Sequence, residues 1–472
     1  MSKPDITIIL EGVQPAAEAA WNVSSLRTLP FNVPEGAARI RVRRHLDPWV
    51  KHTAAVLLFD PRGDGPGAPG FRGYQGQVNT DAEFTVTGDP ETTTSWYRPG
   101  ALPAGEWRIG HWFLDAVSDS LRYRYEITIG FDGPPAADNP YPDYEPGVVK
   151  AKPGWYCGGL HNHTLYSYDS HIGGTPHTLS SLMDLFQADG YDFLAVTDHN
   201  QPRTHLDAAA AAAEHPDMLL ILGNELTSLH GHANALFAPP GTSFDFRLDP
   251  GDGRLPAIID EAHRLGALFV VNHPRQKCRD CTWRYPEPEW RAADAMEVWN
   301  RPWADTNRQS TDLWDGLLKQ GRKLPAVGGA DYHRGDAPLT PATWVYAHEL
   351  SLAGVREAIQ LGRAFLSESP KGPKLFLSTE DGGAMPGDTV TPFGDSPVPL
   401  RVRVVGGAGC SLRLITRFGE RCVPIATDNQ TVREAVSPGP TGASYLRAEL
   451  LRDNGDVAAL TNPIYVEAPA AG

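Results

Sequence analysis

Residues 154–200 read "GWYCGGLHNHTLYSYDSHIGGTPHTLSSLMDLFQADGYDFLAVTDHN", and the order of events within them decides the fold. A short apolar run closes on His161 and His163, a helix-like segment follows, and a second apolar run closes on Asp198 and His199. Apolar strands joined by helices predict a parallel sheet covered on both faces. The unit recurs in "DMLLILGNE" (217–225), "HANALFA" (232–238), "ALFVVNHP" (267–274), "DAMEVWN" (294–300) and "LPAVGGADYH" (324–333). Helix-like segments lie at 178–190, 206–215, 255–266 and 311–321, with a last one, "LAGVREAIQLGRAF", after the seventh run. Seven such runs predict a closed or nearly closed barrel over residues 151–370.

On either side the patterning changes to period two. Before residue 150 lie "ARIRVRRHL", "AAVLLF", "EWRIGHWFLD" and "LRYRYEITIGF", separated by Pro/Gly-rich turns. Such alternation predicts an N-terminal antiparallel β-sandwich or jelly roll over 1–150, with the Pro-rich stretch 132–147 as linker. From 371 to 472, "KLFLSTE", "VPLRVRVVGG", "CSLRLITRFG" and "SYLRAELLRD" predict a second sandwich. Three units also suit a chain of 472 residues at roughly 150 residues per domain.

The composition, 41% hydrophobic and 21% charged, is that of a globular protein with substantial cores. A formal charge of -15 argues against non-specific nucleic-acid binding, which needs basic stripes. No apolar stretch approaches the length of a membrane helix, and the N-terminus lacks the pattern of a signal peptide. Cytoplasm is therefore the expected location. Five cysteines do not make a disulfide scaffold. Cys278 and Cys281 form a lone CxxC with no second pair to complete a zinc site, and Cys410 and Cys422, facing across a hairpin, are expected as free thiols.

In a parallel β/α barrel, functional groups collect at the C-terminal ends of the strands. The predicted strand ends deliver His161 and His163, Asp198 and His199, Glu225, His273, and Asp331 with His333, while Asp169 follows closely after the first pair. Each taken singly reads equally well as a turn, a cap or a satisfied histidine. Gathered at one end of a barrel they would be costly to bury without a cation, which points to a metal site. Residues i and i+2 of a strand face the same way, so His161 with His163, and Asp331 with His333, can each serve one cluster.

The motifs "HNHT", "VTDHN", "NHP" and "GGADYH", with "GNE" and "GHAN" between them, together resemble those of the PHP (polymerase and histidinol phosphatase) superfamily over residues 151–370. The flanking β regions, "NELTSLHGHAN" and "MEVWN" look most like the CehA/McbA-type metallohydrolases. The resemblance implies a distorted (β/α)7 barrel holding two or three divalent ions: zinc, manganese or iron. It implies His161, His163, Glu225 and Asp331 around a first ion, Glu225 bridging to a second with His232 and His273, and Asp169, His199 and His333 around a third. His232 is preferred to His230, which lies on the opposite phase of an extended chain. Asp198 is expected to orient a ligand histidine.

Clustered divalent ions can turn a bridging water into hydroxide at neutral pH and neutralise the group under attack, which suits in-line hydrolysis of a small-molecule phosphodiester or phosphomonoester. No G-x-S-x-G elbow and no P-loop argues otherwise. A phosphate also needs a cationic clamp, for which Arg275, Arg301 and Lys277 are candidates, with Tyr332 as a hydrogen-bond donor between two ligands. Two alternatives remain open. One is a hydrolase of carboxylic esters or carbamates, for which Trp283, Trp290, Trp299 and Trp303 would line the mouth. The other is a non-catalytic binding protein. The β regions do not choose among roles, and the sequence does not specify an oligomeric state.

Overall fold

The computed structural model describes residues 3–47, 54–75, 82–133, 136, 140–335, 337–394, 396–439 and 444–468. Part of the expected linker 132–147 lies outside them.

The first strands form two four-stranded antiparallel sheets. One runs in the order Ile6–Gln14, Leu121–Gly130, Arg39–Asp47, Glu83–Thr87, and the other Arg27–Val33, Gly105–Phe113, Ala54–Phe59, Phe71–Gln75. Alternation explains the pairing: Ile40 and Val42 of the first sheet and Val56, Leu58 and Ile109 of the second meet in one core. Ala54–Phe59 is buried on both faces, because its other side chains (Ala55, Leu57, Phe59) join a cluster with Leu226, Phe244 and Phe246 of the central region. The second sheet is therefore a middle layer, and its edge strand Phe71–Gln75 abuts the central region.

The central sheet runs Ala326–Gly329, Ala295–Asn300, Leu268–Val271, Gly231–Leu236, Leu219–Ser228, Phe193–Val196, Gly154–Gly159, Ala342–Ala347, Ala364–Ser367. The result is mixed α/β with many strands and five α-helices among the described residues, and it departs from seven equal β/α units at two places. Leu219–Ser228 and Gly231–Leu236 form an antiparallel hairpin where a helix-bearing unit was expected. Gly231 makes the turn at φ +127°, with Trp283 so close that a Cβ there would strike it, which leaves no room for a longer excursion. Ala342–Ala347, outside the seven apolar runs, pairs antiparallel with Gly154–Gly159 and Ala364–Ser367. The sheet curls until its first strand meets this one through Thr343, whose Oγ1 accepts from Gly328 N–H at 3.0 Å and donates to Gly328 O at 2.8 Å.

The five helices, Leu179–Asp189, Ala208–Glu214, Arg254–Arg264, Asp305–Lys319 and Leu352–Gln360, overlap the segments that periodicity predicts, but the fourth begins before residue 311 and the last stops short of Ala364 and Phe365, which belong to a strand. Thr178 caps the first by accepting from Ser181 N–H, and Gly190 ends it in the left-handed region. Ser351 caps the last in the same way. None of the described helices is long and apolar enough to cross a membrane.

Beyond Ala364–Ser367 the same sheet continues through Val457–Thr461, Ser444–Leu451, Ser411–Thr416 and Gly419–Pro424, and a three-stranded sheet (Lys374–Thr379, Val398–Val405, Asn429–Val436) covers it. Leu375, Leu400, Val402, Leu412 and Ala448 share the core between them. The hydrogen-bonded sheet thus crosses the boundary expected near residue 370. Buried Glu449 accepts from Arg447, Arg308 and Arg413, and Arg447 also reaches Asp315, which ties this sheet to the Asp305–Lys319 helix.

Candidate metal centre

Parallel strands ending on one side of the central sheet deliver the predicted ligands to one place. Gly154–Gly159 leads to His161 and His163, Phe193–Val196 to His199, Leu268–Val271 to His273 and Ala326–Gly329 to Asp331 and His333. Glu225 and His232 come from the hairpin, on either side of its turn. Among the described residues, four of the five non-glycine residues with positive φ follow strands that end on this side: Asn200, His273, Asp331 and, after Ala295–Asn300, Arg301. Backbone held in this sparsely populated region is a feature of functional sites.

Glu225 lies at the middle of the group. Its Oε1 is 3.2 Å from His161 Nε2, 3.4 Å from His232 Nδ1 and 3.5 Å from His273 Nε2, and its Oε2 is 2.7 Å from His199 Nδ1. Asp331 Oδ1 stands 3.3 Å from His163 Nε2 and 3.5 Å from His161 Nε2. Asp169 lies at the more open edge, 3.3 Å from His199 Nε2 and 2.9 Å from His333 Nε2. The ligand atoms of His161, His163 and Glu225, of Glu225, His232 and His273, and of His163, His199 and His333 each cluster within 4.8 Å. His230 turns outward to Asp249 at 3.1 Å, as the strand phase requires.

The donor set fits divalent cations. Nε2 of His161, His163, His199 and His333, with Asp169 Oδ1 and Glu225 Oε2, are buried atoms without a hydrogen-bond partner. Each such orphan costs about 1–3 kcal/mol, and a cation at the centre of the group is the partner that all of them lack. Charge among the metal-free residues follows the carboxylates. Burial pushes His161 and His199 down, but Glu225 with Glu297 and Asp331 in one case, and Asp169 with Glu225 in the other, outweigh it and hold both well above the ordinary histidine value. His163 goes the other way, to about 3, through burial and the neighbouring His333 and His199. Glu225 and Asp331 sit well below the usual carboxylate range: burial opposes this, and the surrounding histidines, with Arg301 for Asp331, overcome it.

A second layer fixes the ligands. Asp198 does not touch a histidine directly. It accepts from Ser167 Oγ at 2.6 Å, and Ser167 Oγ in turn lies 2.9 Å from His163 Nδ1. The same carboxylate accepts from Thr164 N–H and from the hydroxyls of Thr164 and Thr204. Asn272 donates to Glu225 Oε1 at 2.9 Å.

Glu297, not among the residues expected at the site, is buried with Oε1 3.2 Å from His161 Nδ1 and Oε2 accepting from His273 N–H at 2.9 Å. Its signal was the carboxylate inside the apolar run "AMEVW", and Gly329 supports it, since a Cβ there would run into both Glu297 and His161. Glu297→Gln is expected to lower metal affinity or turnover by about 10–100-fold with the fold intact, measured by metal titration alongside circular dichroism. An unchanged titration would leave Glu297 no part in orienting His161.

The predicted substrate contacts fare unequally. Arg301 is about half exposed, with Nη2 2.9 Å from Asp331 Oδ2. Arg275 and Lys277 are exposed and make no ion pair among the described residues. Tyr332 does not stand between two ligands. Period two turns it away from Asp331 and His333 into the core beside Phe186, where its hydroxyl meets His177 Nε2 at 3.1 Å and donates to Gly335 O. Trp283, Trp290 and Trp299 are buried in the core, and Trp303 packs edge-on against Trp299. His171 bonds Leu165 O and His263 faces Asp294, both away from the cluster. The N-terminal sandwich does reach the centre. Tyr74 OH accepts from Asn200 Nδ2 at 3.0 Å, and Asn200 also bonds Thr227, whose Oγ1 is 2.6 Å from His199 Nδ1.

No protein-family model and no curated protein matches the chain. Among solved structures it is similar to a two-domain protein from Bacteroides vulgatus described as containing a predicted PHP-like metal-dependent phosphoesterase. The identity is 19% and the TM-score 0.39, over 68% of this chain and 99% of that one. It is also similar to a candidate metal-dependent phosphoesterase from Bifidobacterium adolescentis, at 16% identity and a TM-score of 0.30, over 43% of this chain and 95% of that one. Both likenesses are distant, and the weight of the functional conclusion falls on the site's own residues.

Proposed function

We propose that the chain is a metal-dependent phosphoesterase of PHP type, with residues 151–370 as its catalytic unit and 1–150 and 371–472 as flanking sandwiches. One observation carries this reading: buried imidazole and carboxylate atoms from several separate strand ends converge with no partner but each other. His161, His163, Glu225 and Asp331 would hold a first divalent ion, Glu225, His232 and His273 a second, and Asp169, His199 and His333 a third. Zinc, manganese and iron all accept this mixture of nitrogen and oxygen donors. When bound, such ions supply a water activated at neutral pH and positive charge for the oxygens of the group attacked.

The protein's own contribution is orientation and charge. Ser167, held by Asp198, fixes the ring of His163, and Glu297 fixes His161. Asn272 holds one oxygen of Glu225 in place. Arg301 is anchored through Nη2 on Asp331 and keeps further N–H donors for a phosphoryl oxygen. This cation favours an anionic ester. The carbamate alternative leaned on aromatic surface at the mouth, and Trp283, Trp290 and Trp299 belong to the core instead.

Metal-loaded protein is expected to hydrolyse a chromogenic phosphodiester or its monoester faster than an aryl methylcarbamate, and Asp331→Asn to remove that activity. Turnover of the carbamate alone would overturn the phosphoesterase assignment while leaving the metal centre standing.

A further inference from the structure

The cluster around Glu225 does not end at His232. A ring nitrogen of His232, a carboxylate oxygen of Asp280 and Sγ of Cys281 lie within 4.8 Å of one another. His232 is buried and its Nε2 has no hydrogen-bond partner. Asp280 and Cys281 are half-buried on the loop 276–283, which leaves the strand end at His273. That loop is held along its length. Gln276 N–H donates to His273 O at 2.9 Å, Thr282 Oγ1 to Gln276 O at 2.6 Å and Trp283 N–H to Pro274 O at 3.1 Å. Arg279 pairs with Asp115 and lies 4.4 Å over the Trp21 ring, both in the N-terminal region. In the structure Cys281 is joined to Cys278, the CxxC that the sequence left without a partner pair.

Imidazole, carboxylate and thiolate together make a nitrogen–oxygen–sulfur set suited to zinc, whereas a sulfur tied up in a disulfide lacks the thiolate charge that binds it. We propose that Cys281, once released from Cys278 by reduction, joins Asp280 and His232 as a soft-metal site beside the centre described above. A dithiol reductant supplies the two electrons and two protons. The Cys278–Cys281 bond breaks to two thiols and the reductant leaves as its own disulfide. Cys281 then gives its thiol proton to solvent as the ion binds. His232 serves both groups, so the redox state of the CxxC governs how that imidazole is shared. The inference rests on the metal-centre reading through His232 alone.

Cobalt(II) titration of the full chain separates the two ideas. Histidine–carboxylate positions report through ligand-field absorption, and a thiolate ligand adds a charge-transfer band in the near ultraviolet. The band is expected in dithiol-reduced protein freed of reductant and in Cys278→Ser, and is expected to be absent from oxidised protein and from Cys281→Ser. Reduced protein that gains the ligand-field absorption without the band would overturn this inference and leave the proposed centre intact. A band persisting in Cys281→Ser would overturn it too, by assigning the thiolate to Cys410 or Cys422. Loss of ligand-field absorption from every sample would instead sink the metal-centre reading. Zinc is also expected to protect Cys281 of the reduced wild-type chain from alkylation, mapped by mass spectrometry, so the conclusion does not depend on a variant that folds. Equal labelling with and without zinc would count against it.

Discussion

Glu225→Gln is expected to abolish turnover, lowering it by about three orders of magnitude or more, equivalent to ~4 kcal/mol of transition-state stabilisation. The loss should be at least as large as for any other single ligand, Asp331 included, because this carboxylate is within 3.5 Å of His161, His232, His273 and His199 at once. Glutamine has nearly the same shape and removes only the charge. It would not supply the anion that the first and second positions would share, and it cannot offset several imidazoles in a buried space. The metal-free protein should respond as well. Glu225 is among the carboxylates that hold His161 and His199 above the ordinary histidine value, and without it both drop toward neutrality, which NMR titration of the imidazoles would detect. Metal content measured on the purified variant should fall for the first and second positions together. A variant that kept both ions and most of its activity would place the reaction elsewhere. His232→Ala should be milder, since of the three positions proposed for the centre it belongs only to the second.

Much of this centre was legible in the sequence, for a physical reason. Polar residues at the ends of buried strands have no cheap structural explanation, so "HNH", "TDHN", "GNE", "NHP" and "ADYH" stood out against their apolar runs. Helix positions were equally readable, because the Leu182/Met183/Phe186 and Leu255/Ile258/Ile259/Ala262 faces repeat at helical spacing. The contact between the sheet's first strand and Ala342–Ala347 was not. Ala342–Ala347 is a short strand whose residues alternate between buried and half-buried, and its role comes from pairing with Gly154–Gly159, nearly 190 positions earlier. The hairpin at Glu225 was hidden because "DMLLILGNE" and "HANALFA" look like two ordinary buried strands, and their direction depends on a turn at Gly231 that only Trp283 explains. Tyr332 failed for a simpler reason: neighbours on an extended chain face opposite ways, so a residue between two ligands is the one that cannot join them. Tyr74 could not have been found, since nothing in "FRGYQ" marks an edge strand that reaches Asn200 in another layer.

Removing the metal with a chelator is expected to lower the melting temperature, and by more at pH 8 than at pH 6. In the metal-free protein, burial opposes protonation of His161 and His199, yet the carboxylates around them prevail and both stay protonated near neutrality. The stability this adds to the metal-free form is fully present below the unfolded histidine value and is lost as pH rises through the raised folded values. Metal binding needs the neutral rings, so it must expel these protons. His163, already neutral with its value near 3, contributes none. Raising the pH therefore weakens the metal-free form while removing the competitor for the metal. Each proton expelled widens the gap by about 1.4 kcal/mol per pH unit. This adds to roughly 3 kcal/mol from free metal at a hundredfold above its dissociation constant. Acid acts through the carboxylates instead. The stability held by Glu225 and Asp331 is present above their unfolded values and lost as pH falls through their lowered folded ones. Calorimetric metal titration at pH 7 in two buffers of different ionisation enthalpy should give heats that differ in proportion to the protons released. Equal heats in the two buffers, with a melting gap that does not change with pH, would mean that His161 and His199 do not exchange their protons for metal.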